Sequence, residues 1–343
     1  MSGSAIIPAF VLTGFLGAGK TTLLNRLLKD PALADAAVVI NEFGDAGLDH
    51  LLVEKSGDGV VLLASGCLCC SLRGDLADTL VDLARRRAAG TLPPFSKVVI
   101  ETSGLAHPTP VLQTLLAPIV VSCGYGLAGV VAVADAQRGG ALLDAHAESV
   151  AQIAVADHIL VSKADLAGDG LAAFVARLRA LNPRATIGLA REARADMLFT
   201  APPAPPPAAA ASAPRPGRPA FSAHDAAIAS FVLTSDKAMA PARLGAFLDE
   251  LRERHGDRLL RLKALVKLTD DPARPVVIQG VQHVLHPAER LDAWPDGDER
   301  SRFVLITRDG DRRRIEDLFA AFCGEPRPDA PDAAALTDNP LAL

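Results

Sequence analysis

The chain has 343 residues, 50% of them hydrophobic and 22% charged, with a formal net charge of −5 at pH 7. This composition predicts a folded globular protein of two domains and excludes an intrinsically disordered chain. The negative charge argues against a nucleic-acid-binding surface, and the lack of a secretory signal or a long apolar run predicts a cytoplasmic protein with no membrane partner.

Short apolar runs alternate with helical patterns through the first 200 residues. Continuous apolar strands that alternate with helices are typical of a parallel sheet covered by helices on both faces. The predicted strands are 9–13, 37–41, 60–64, 97–101, 130–135 and 158–163, and the predicted helices include 20–30, 72–87 and 171–181. The fold class predicted for residues 1–200 is therefore α/β with a mostly parallel sheet.

The loop after the first predicted strand carries a phosphate-binding motif. It reads GFLGAGKT, a complete G-x-x-x-x-G-K-[ST] placed between a strand and a helix. In such a loop, backbone N–H groups bind phosphate oxygens, while Lys20 contacts the β- and γ-phosphates and the Thr21 hydroxyl binds Mg²⁺. We predict a nucleoside triphosphate site formed by Gly14, Gly17, Ala18, Gly19, Lys20, Thr21 and Thr22.

Three of the five cysteines lie close together after the third predicted strand, at Cys67, Cys69 and Cys70. In an extended chain Cys70 would point away from the other two, so three thiolates converge only if this stretch is a loop. Thiolate-rich sites select Zn²⁺, Cu(I) or, less usually, Co²⁺. A redox pair of Cys67 and Cys70 would not need Cys69, and buried structural cysteines are seldom clustered in this way. We therefore predict a metal site.

The fourth predicted strand ends at Glu101, which is followed by Thr102, Ser103 and Gly104. An acid at this position can hold Mg²⁺ directly or through water, and a glycine lets the backbone approach a γ-phosphate. A solvated carboxylate at a strand end is the alternative. With the phosphate-binding loop upstream, we predict that Glu101 and Gly104 complete the nucleotide site.

The sixth predicted strand leads into SKAD, where Ser162, Lys163 and Asp165 match the end of an N/T/S-K-x-D guanine box. The Asp165 carboxylate can accept hydrogen bonds from guanine N1–H and the 2-amino group, two donors that adenine lacks. The aliphatic part of Lys163 can lie over the purine ring. The motif predicts that GTP is preferred to ATP.

A proline- and alanine-rich linker at 201–222 separates a second predicted domain at 223–323 from the first, and a loose tail occupies 324–343. The pattern predicts a smaller α+β domain with a mostly antiparallel sheet. Its strands are 228–235, 261–268, 275–285 and 302–309, and its helices are 241–257 and 313–322.

The motifs GFLGAGKTTLLNRLL, NEFGDAGLD, GCLCC, VVIETSGLAHP and SKAD occur in this order. In both its motifs and its second half, the chain resembles the CobW-type metal-chaperone GTPases. The resemblance implies that NEFGDAGLD senses the γ-phosphate, that Glu42 joins Lys20 and Glu101 as a catalytic residue, and that Glu42 and Asp45 are metal ligands with the cysteines and Thr21.

The resemblance implies a GTP-hydrolysing metallochaperone with slow intrinsic turnover. It would use GTP and Mg²⁺, carry Zn²⁺ or else Co²⁺, and deliver the metal to an unidentified client metalloprotein that the second domain recognises. Cobalt supply for cobalamin synthesis or nitrile-hydratase maturation fits the same resemblance. A regulatory GTP-binding switch, a P-loop kinase and a thiol oxidoreductase are the rival classes, and homo-oligomerisation is left open.

Five other polar residues attract attention. The family favours Asp where this chain has His107, and a lone histidine in a loop is expected to be solvated. His283 and His286 could form a second metal pair, but a structural or surface role is the stronger expectation for both. Arg258 and Arg261 are expected to brace the two domains or a partner surface.

Overall fold

The computed structural model describes residues 6–41, 61–64, 74–200, 228–308 and 312–324. A seven-stranded sheet forms the first domain, with the strand order β3-β2-β4-β1-β5-β6-β7, and neighbouring strands in this order pair in parallel. The strands are β1 (Ile7–Thr13), β2 (Ala36–Asn41), β3 (Val61–Ala64), β4 (Lys97–Thr102), β5 (Tyr125–Asp135), β6 (His158–Ser162) and β7 (Thr186–Leu189). The predicted α/β class is confirmed, whereas β7 was not predicted.

Helices cover both faces of this sheet. They are α1 (Lys20–Leu27), α2 (Gly74–Ala88), α3 (Thr109–Leu115), α4 (Pro118–Ser122), α5 (Gly139–Ala145), α6 (Ala147–Ala154), α7 (Gly170–Leu181) and α8 (Ala195–Leu198). Alternate side chains of β1 enter different cores: Ala9 and Val11 lie in one buried cluster, and Phe10 and Leu12 in the other. A strand buried on both faces has no solvated side, which explains its uninterrupted apolar sequence.

The second domain is built on an antiparallel sheet of order β11-β10-β9-β13-β8, with β12 paired to β10. Its strands are β8 (Ile228–Ser235), β9 (Leu259–Val266), β10 (Val276–Val281), β11 (Val284–Leu285), β12 (Glu289–Arg290) and β13 (Ser301–Arg308). Two helices, α9 (Pro241–His255) and α10 (Arg312–Phe322), share a buried core with this sheet. The single strand predicted at 275–285 was wrong, because the chain turns at Gln282 and pairs β10 with β11.

The two domains are packed together. Leu260, Val281 and Ile306 of the second sheet belong to the same buried cluster as the core beside α2 and α3. Polar contacts reinforce this interface, since Gln279 donates to the Leu127 carbonyl at 3.2 Å and Gln113 donates to Gln282 at 2.8 Å. The second domain is therefore docked on the first.

A mostly buried charge cluster lies at this interface, in which the side chains of Arg261, Lys263 and Asp157 are 4%, 17% and 19% exposed. Arg261 contacts Asp157 at 2.8 Å and donates to the Val155 carbonyl, and Lys263 Nζ lies 2.6 Å from the other carboxylate oxygen of Asp157. Burial alone would raise the pKa of Asp157, but Arg261, Lys263 and a hydrogen bond from Val130 hold that pKa well below its usual range. The predicted bracing role of Arg261 is confirmed.

Each helix in the described part of the chain is too short or too polar to span a bilayer. The predicted linker at 201–222 lies outside the described residues, as does the tail after residue 324. The domain boundaries given above stay a prediction.

Candidate functional site

The phosphate-binding loop follows β1, the central strand, at the carboxyl edge of the parallel sheet. Ligands of open α/β sheets bind at this edge. Gly14 has φ 139°, and a Cβ there would lie 2.3 Å from the Val133 carbonyl oxygen in β5. Gly19, at φ 93°, caps the N-terminus of α1. Both positions require glycine, because the backbone is left-handed at each and the loop closely approaches β5 at Gly14.

Lys20 and Thr21 lie in the first turn of α1, directly after this loop. Lys20 is buried, and its ammonium donates to the Gly14 carbonyl at 3.0 Å. The Thr21 hydroxyl donates to Glu101 Oε1 at 2.6 Å. Because β4 is the neighbour of β1, Glu101 near the end of β4 lies beside the start of α1. A hydroxyl and a buried carboxylate in contact are hard oxygen donors that fit Mg²⁺.

The loop after β4 packs directly on the phosphate-binding loop. A Cβ at Gly104 would lie 2.6 Å from both the backbone N and Cα of Leu16. Gln152 of α6, fully buried, donates to the carbonyls of Gly104 at 3.2 Å and Ala106 at 2.9 Å. Gln152 could not be predicted from the sequence, because its role depends on the packing of α6 against this loop. Gly104 is therefore held in place from both sides.

His107, at the end of this loop, contacts the second domain. The Arg308 guanidinium donates to His107 Nε2 at 2.9 Å. Burial and the nearby Arg308 lower the pKa of the His107 ring, against a weaker opposing effect of Glu148. The expectation that His107 is solvated was therefore wrong, since the docked second domain covers the loop.

The guanine-box residues are tied to the phosphate-binding loop. The Ser162 hydroxyl donates to the Ala18 carbonyl at 2.7 Å, and Lys163 Nζ donates to the Gly17 carbonyl at 2.9 Å. Lys163 also forms an ion pair with Asp135 at 2.7 Å. Asp165 is exposed on the short turn that follows. Thr22 is also exposed, in the first turn of α1.

Most predicted nucleotide-site residues thus lie at one edge of the sheet. The structure brings together the phosphate-binding loop, Glu101, Gly104 and the turn containing Lys163. Asp135, at the end of β5, was missed. It follows an apolar strand like many strand-end carboxylates, and nothing in its local sequence links it to Lys163.

The predicted metal ligands Glu42, Asp45, Cys67, Cys69 and Cys70 lie outside the described residues. The two strands that precede these ligands, β2 and β3, do lie within the described residues. β2 and β3 are parallel neighbours, with Ile40 opposite Ala64, so both end at the same edge of the sheet. This metal site stays a prediction.

In the described part of the chain, no group of three or more His, Cys, Asp or Glu side chains could hold a metal ion. Cys123, within the described residues, is not joined in a disulfide. His283 contacts Asp257 at 2.8 Å, whereas His286 Nδ1 lies 2.8 Å from its neighbour's carbonyl, that of Pro287. The two histidines thus have separate partners, as their expected structural or surface role requires.

Comparison with known families decides the relationship. A model described as "CobW/HypB/UreG, nucleotide-binding domain" matches residues 8–188, which is more than half of the chain. The chain belongs to the CobW/HypB/UreG family. A second model, described as the "Cobalamin synthesis protein cobW C-terminal domain", matches residues 228–323. The resemblance predicted from the sequence motifs is confirmed.

Several members of the family are similar over almost their whole length. The "Zinc chaperone YjiA" of Escherichia coli is 32% identical over 93% of this chain and 98% of its own length. The "Zinc chaperone CobW" of Pseudomonas aeruginosa is 29% identical over 92% and 91%, respectively. The crystal structure described as "Zn(II)-bound YjiA GTPase from E. coli" superposes with a TM-score of 0.66 at 27% identity, covering 93% of this chain and 99% of that one. This CobW-family chain is thus homologous to zinc chaperones and to a protein named a GTPase.

Proposed function

We propose that this CobW-family chain is a GTP-hydrolysing zinc metallochaperone. It binds Mg–GTP at the loop Gly14–Thr22, loads Zn²⁺ on Cys67, Cys69 and Cys70, and releases the ion to a client metalloprotein after hydrolysis. The observation that carries the proposal is the 2.6 Å contact between Thr21 and Glu101 beside the buried Lys20, the arrangement that Mg²⁺ and a triphosphate need. The similarity to proteins named zinc chaperones supports zinc over cobalt as the cargo.

The phosphate chemistry follows from this geometry. Lys20 supplies the cation for the β- and γ-phosphates, while Thr21 and Glu101 would hold Mg²⁺, which neutralises the charge that develops on the phosphate oxygens. Positioning and electrostatics supply most of the catalysis in phosphoryl transfer. Glu42 is proposed to orient the attacking water, and we expect slow intrinsic turnover that metal or client accelerates.

Guanine preference rests on the turn after β6. Lys163 is fixed against the phosphate-binding loop, and Asp165 remains exposed beside it. An exposed carboxylate next to the bound nucleotide can accept from guanine N1–H and the 2-amino group together. Adenine would place no such donor pair there, so GTP is proposed as the physiological nucleotide.

Metal loading is proposed to depend on the nucleotide through β2 and β3. Because these strands end side by side, the segment beginning at Glu42 and the cysteine segment leave the sheet at neighbouring points. Glu42 and Asp45 are proposed to complete the thiolate site when GTP is bound. Thiolate ligands require a reducing compartment, which agrees with the expected cytoplasmic location.

The experiment is a zinc competition titration with a non-hydrolysable GTP analogue, with GDP and without nucleotide. If GTP and Zn²⁺ binding are coupled, each must raise the affinity for the other by the same factor, usually about 5- to 150-fold. Serine at positions 67, 69 and 70 together should abolish tight zinc binding and leave metal-free GTP binding nearly intact. Cys123→Ser, which changes a thiol outside the motif, is the matched control.

Two outcomes would contradict the proposal. Equal zinc affinity in all three nucleotide states would leave a metal-binding GTPase without a loading mechanism. Unchanged zinc affinity in the triple serine variant would remove the cysteine site and favour a regulatory GTP-binding switch.

A further inference from the structure

Asp135 is a buried carboxylate at the end of β5 whose two oxygens have different partners. Oδ1 accepts from the backbone N–H of Gln137 at 2.8 Å and of Arg138 at 3.2 Å. Oδ2 lies 2.7 Å from the Lys163 ammonium, and the Asp135 side chain is only 3% exposed. One oxygen therefore stabilises the local turn. The other binds Lys163, 28 residues further along the chain, in the turn that is proposed to recognise the base.

Lys163 is held in one position by this contact. Its backbone is left-handed at φ 52°, which is uncommon for a residue with a long side chain. Its ammonium bridges Asp135 and the Gly17 carbonyl at 2.7 and 2.9 Å. The charge is thus fixed between β5 and the phosphate-binding loop, while the Lys163 side chain as a whole remains 37% exposed, so that its stem can lie against a purine ring.

Asp165 is the alternative carboxylate for this ammonium, since it lies two residues away on the same turn. Within the residues that the structure describes, no ion pair involving Asp165 is formed, and its side chain faces solvent. An ion pair with Lys163 would occupy the oxygens that must accept from guanine. Asp135 removes this competition because it satisfies the ammonium first.

We propose that Asp135 is a positioning residue for base selection, which holds the Lys163 ammonium away from Asp165 so that this carboxylate stays available to guanine. The proposal rests on the proposed GTP-dependent function. It assigns to Asp135 an effect on the choice of base that is separate from its effect on the local turn.

The test is the Asp135→Asn variant, assayed for GDP and ADP affinity by calorimetry. The amide oxygen can still accept from Gln137 and Arg138, but the negative charge is lost. Lys163 should then pair with Asp165, and the GDP-to-ADP affinity ratio should fall by about 10- to 100-fold, the range for losing hydrogen bonds to a charged group. ADP affinity should change little, because adenine does not use Asp165.

A rescue experiment separates positioning from a structural role. In the Asp135→Asn background, Lys163→Met removes the charge that would capture Asp165 while keeping an apolar stem over the base. The ratio should recover most of its loss. Asp144→Asn, which removes the exposed partner of Arg177, is the control and should leave the ratio unchanged.

The outcomes are distinct. An unchanged ratio in Asp135→Asn, or a double variant in which the losses simply add, overturns the positioning role while leaving the guanine site intact. A wild-type chain that binds ADP as tightly as GDP refutes the guanine assignment itself. If Asp135→Asn fails to fold, Asp135→Ser takes its place: it also removes the charge that holds Lys163, so the GDP-to-ADP ratio should again fall by about 10- to 100-fold, and an unchanged ratio overturns the positioning role.

Discussion

Replacing Gly104 with alanine perturbs the contact between the two loops of the nucleotide site. The added methyl group would lie 2.6 Å from the backbone N and Cα of Leu16, whereas ordinary contact begins at 3.4 Å. The loops must separate by about 0.8 Å (3.4 − 2.6), and neither clashing atom belongs to a side chain that can rotate away. Such a movement would disturb the hydrogen bonds from Gln152 to Gly104 and Ala106. Such overpacking costs about 1–3 kcal/mol.

We expect this cost to lower mainly the affinity for GTP. The loop after Glu101 is proposed to approach the γ-phosphate, which GDP lacks, so Gly104→Ala should weaken binding of a GTP analogue by about 5- to 150-fold. GDP affinity should change by less than about threefold. The assay is calorimetry with both nucleotides, together with thermal unfolding to confirm that the variant folds.

The matched control is Gly140→Ala in α5, where an added Cβ meets nothing within 4 Å. It should leave both nucleotide affinities unchanged. Equal losses for GDP and the GTP analogue in Gly104→Ala would show that the clash deforms the whole phosphate-binding loop. No loss for either would refute the inference that the close approach at Gly104 serves the γ-phosphate.

Three further predictions test other parts of the molecule. Lys20→Ala should abolish GTP binding or turnover without unfolding the chain, because it removes the cation proposed for the phosphates; unchanged calorimetric affinity would reject the site. Asp157→Asn should lower the free energy of unfolding by about 3–5 kcal/mol in urea, because Arg261 and Lys263 lose their buried carboxylate. Since the folded-state pKa of Asp157 is depressed, the wild type should also lose stability progressively below about pH 5, and a wild type equally stable at pH 7 and pH 3 would contradict this. Gly245→Ala, within α9 and facing open space, should raise the free energy of unfolding by about 0.5–1 kcal/mol, and a lower melting temperature would count against it.

The local features of the site could be predicted from the sequence. The phosphate-binding loop is one continuous stretch of sequence. The roles of its glycines, Lys20 and Thr21 could therefore be predicted from their spacing alone. Glu101 and the turn at Lys163 could be placed beside it because the carboxyl ends of parallel strands meet at one edge of a sheet. The strands themselves were visible because burial on both faces makes them uniformly apolar.

Contacts between distant segments could not be predicted in the same way. β7 has only four residues and half-exposed alternation, which gives a weak strand signal. The turn at Gln282 has a left-handed backbone, with φ 53°, but glutamine is not a residue type from which such a turn would be predicted. The Asp135–Lys163 pair and the covering of His107 by Arg308 depend on tertiary packing over 28 and 201 residues, so no local pattern encodes them.

The docked second sheet has a consequence for biosynthesis and for deletion experiments. The second sheet packs against α9 and α10 on one face and against the first domain on the other. If the second domain were separated from the first, the apolar side chains of that other face would be exposed to solvent. During translation the first domain emerges with Asp157 and the apolar patch that receives Leu260, Val281 and Ile306 still uncovered. Exposed surface of this kind promotes aggregation until its partner is made. A C-terminal truncation therefore disturbs folding of the first domain, and a loss of function in such a variant would first report a defect in assembly of the chain itself.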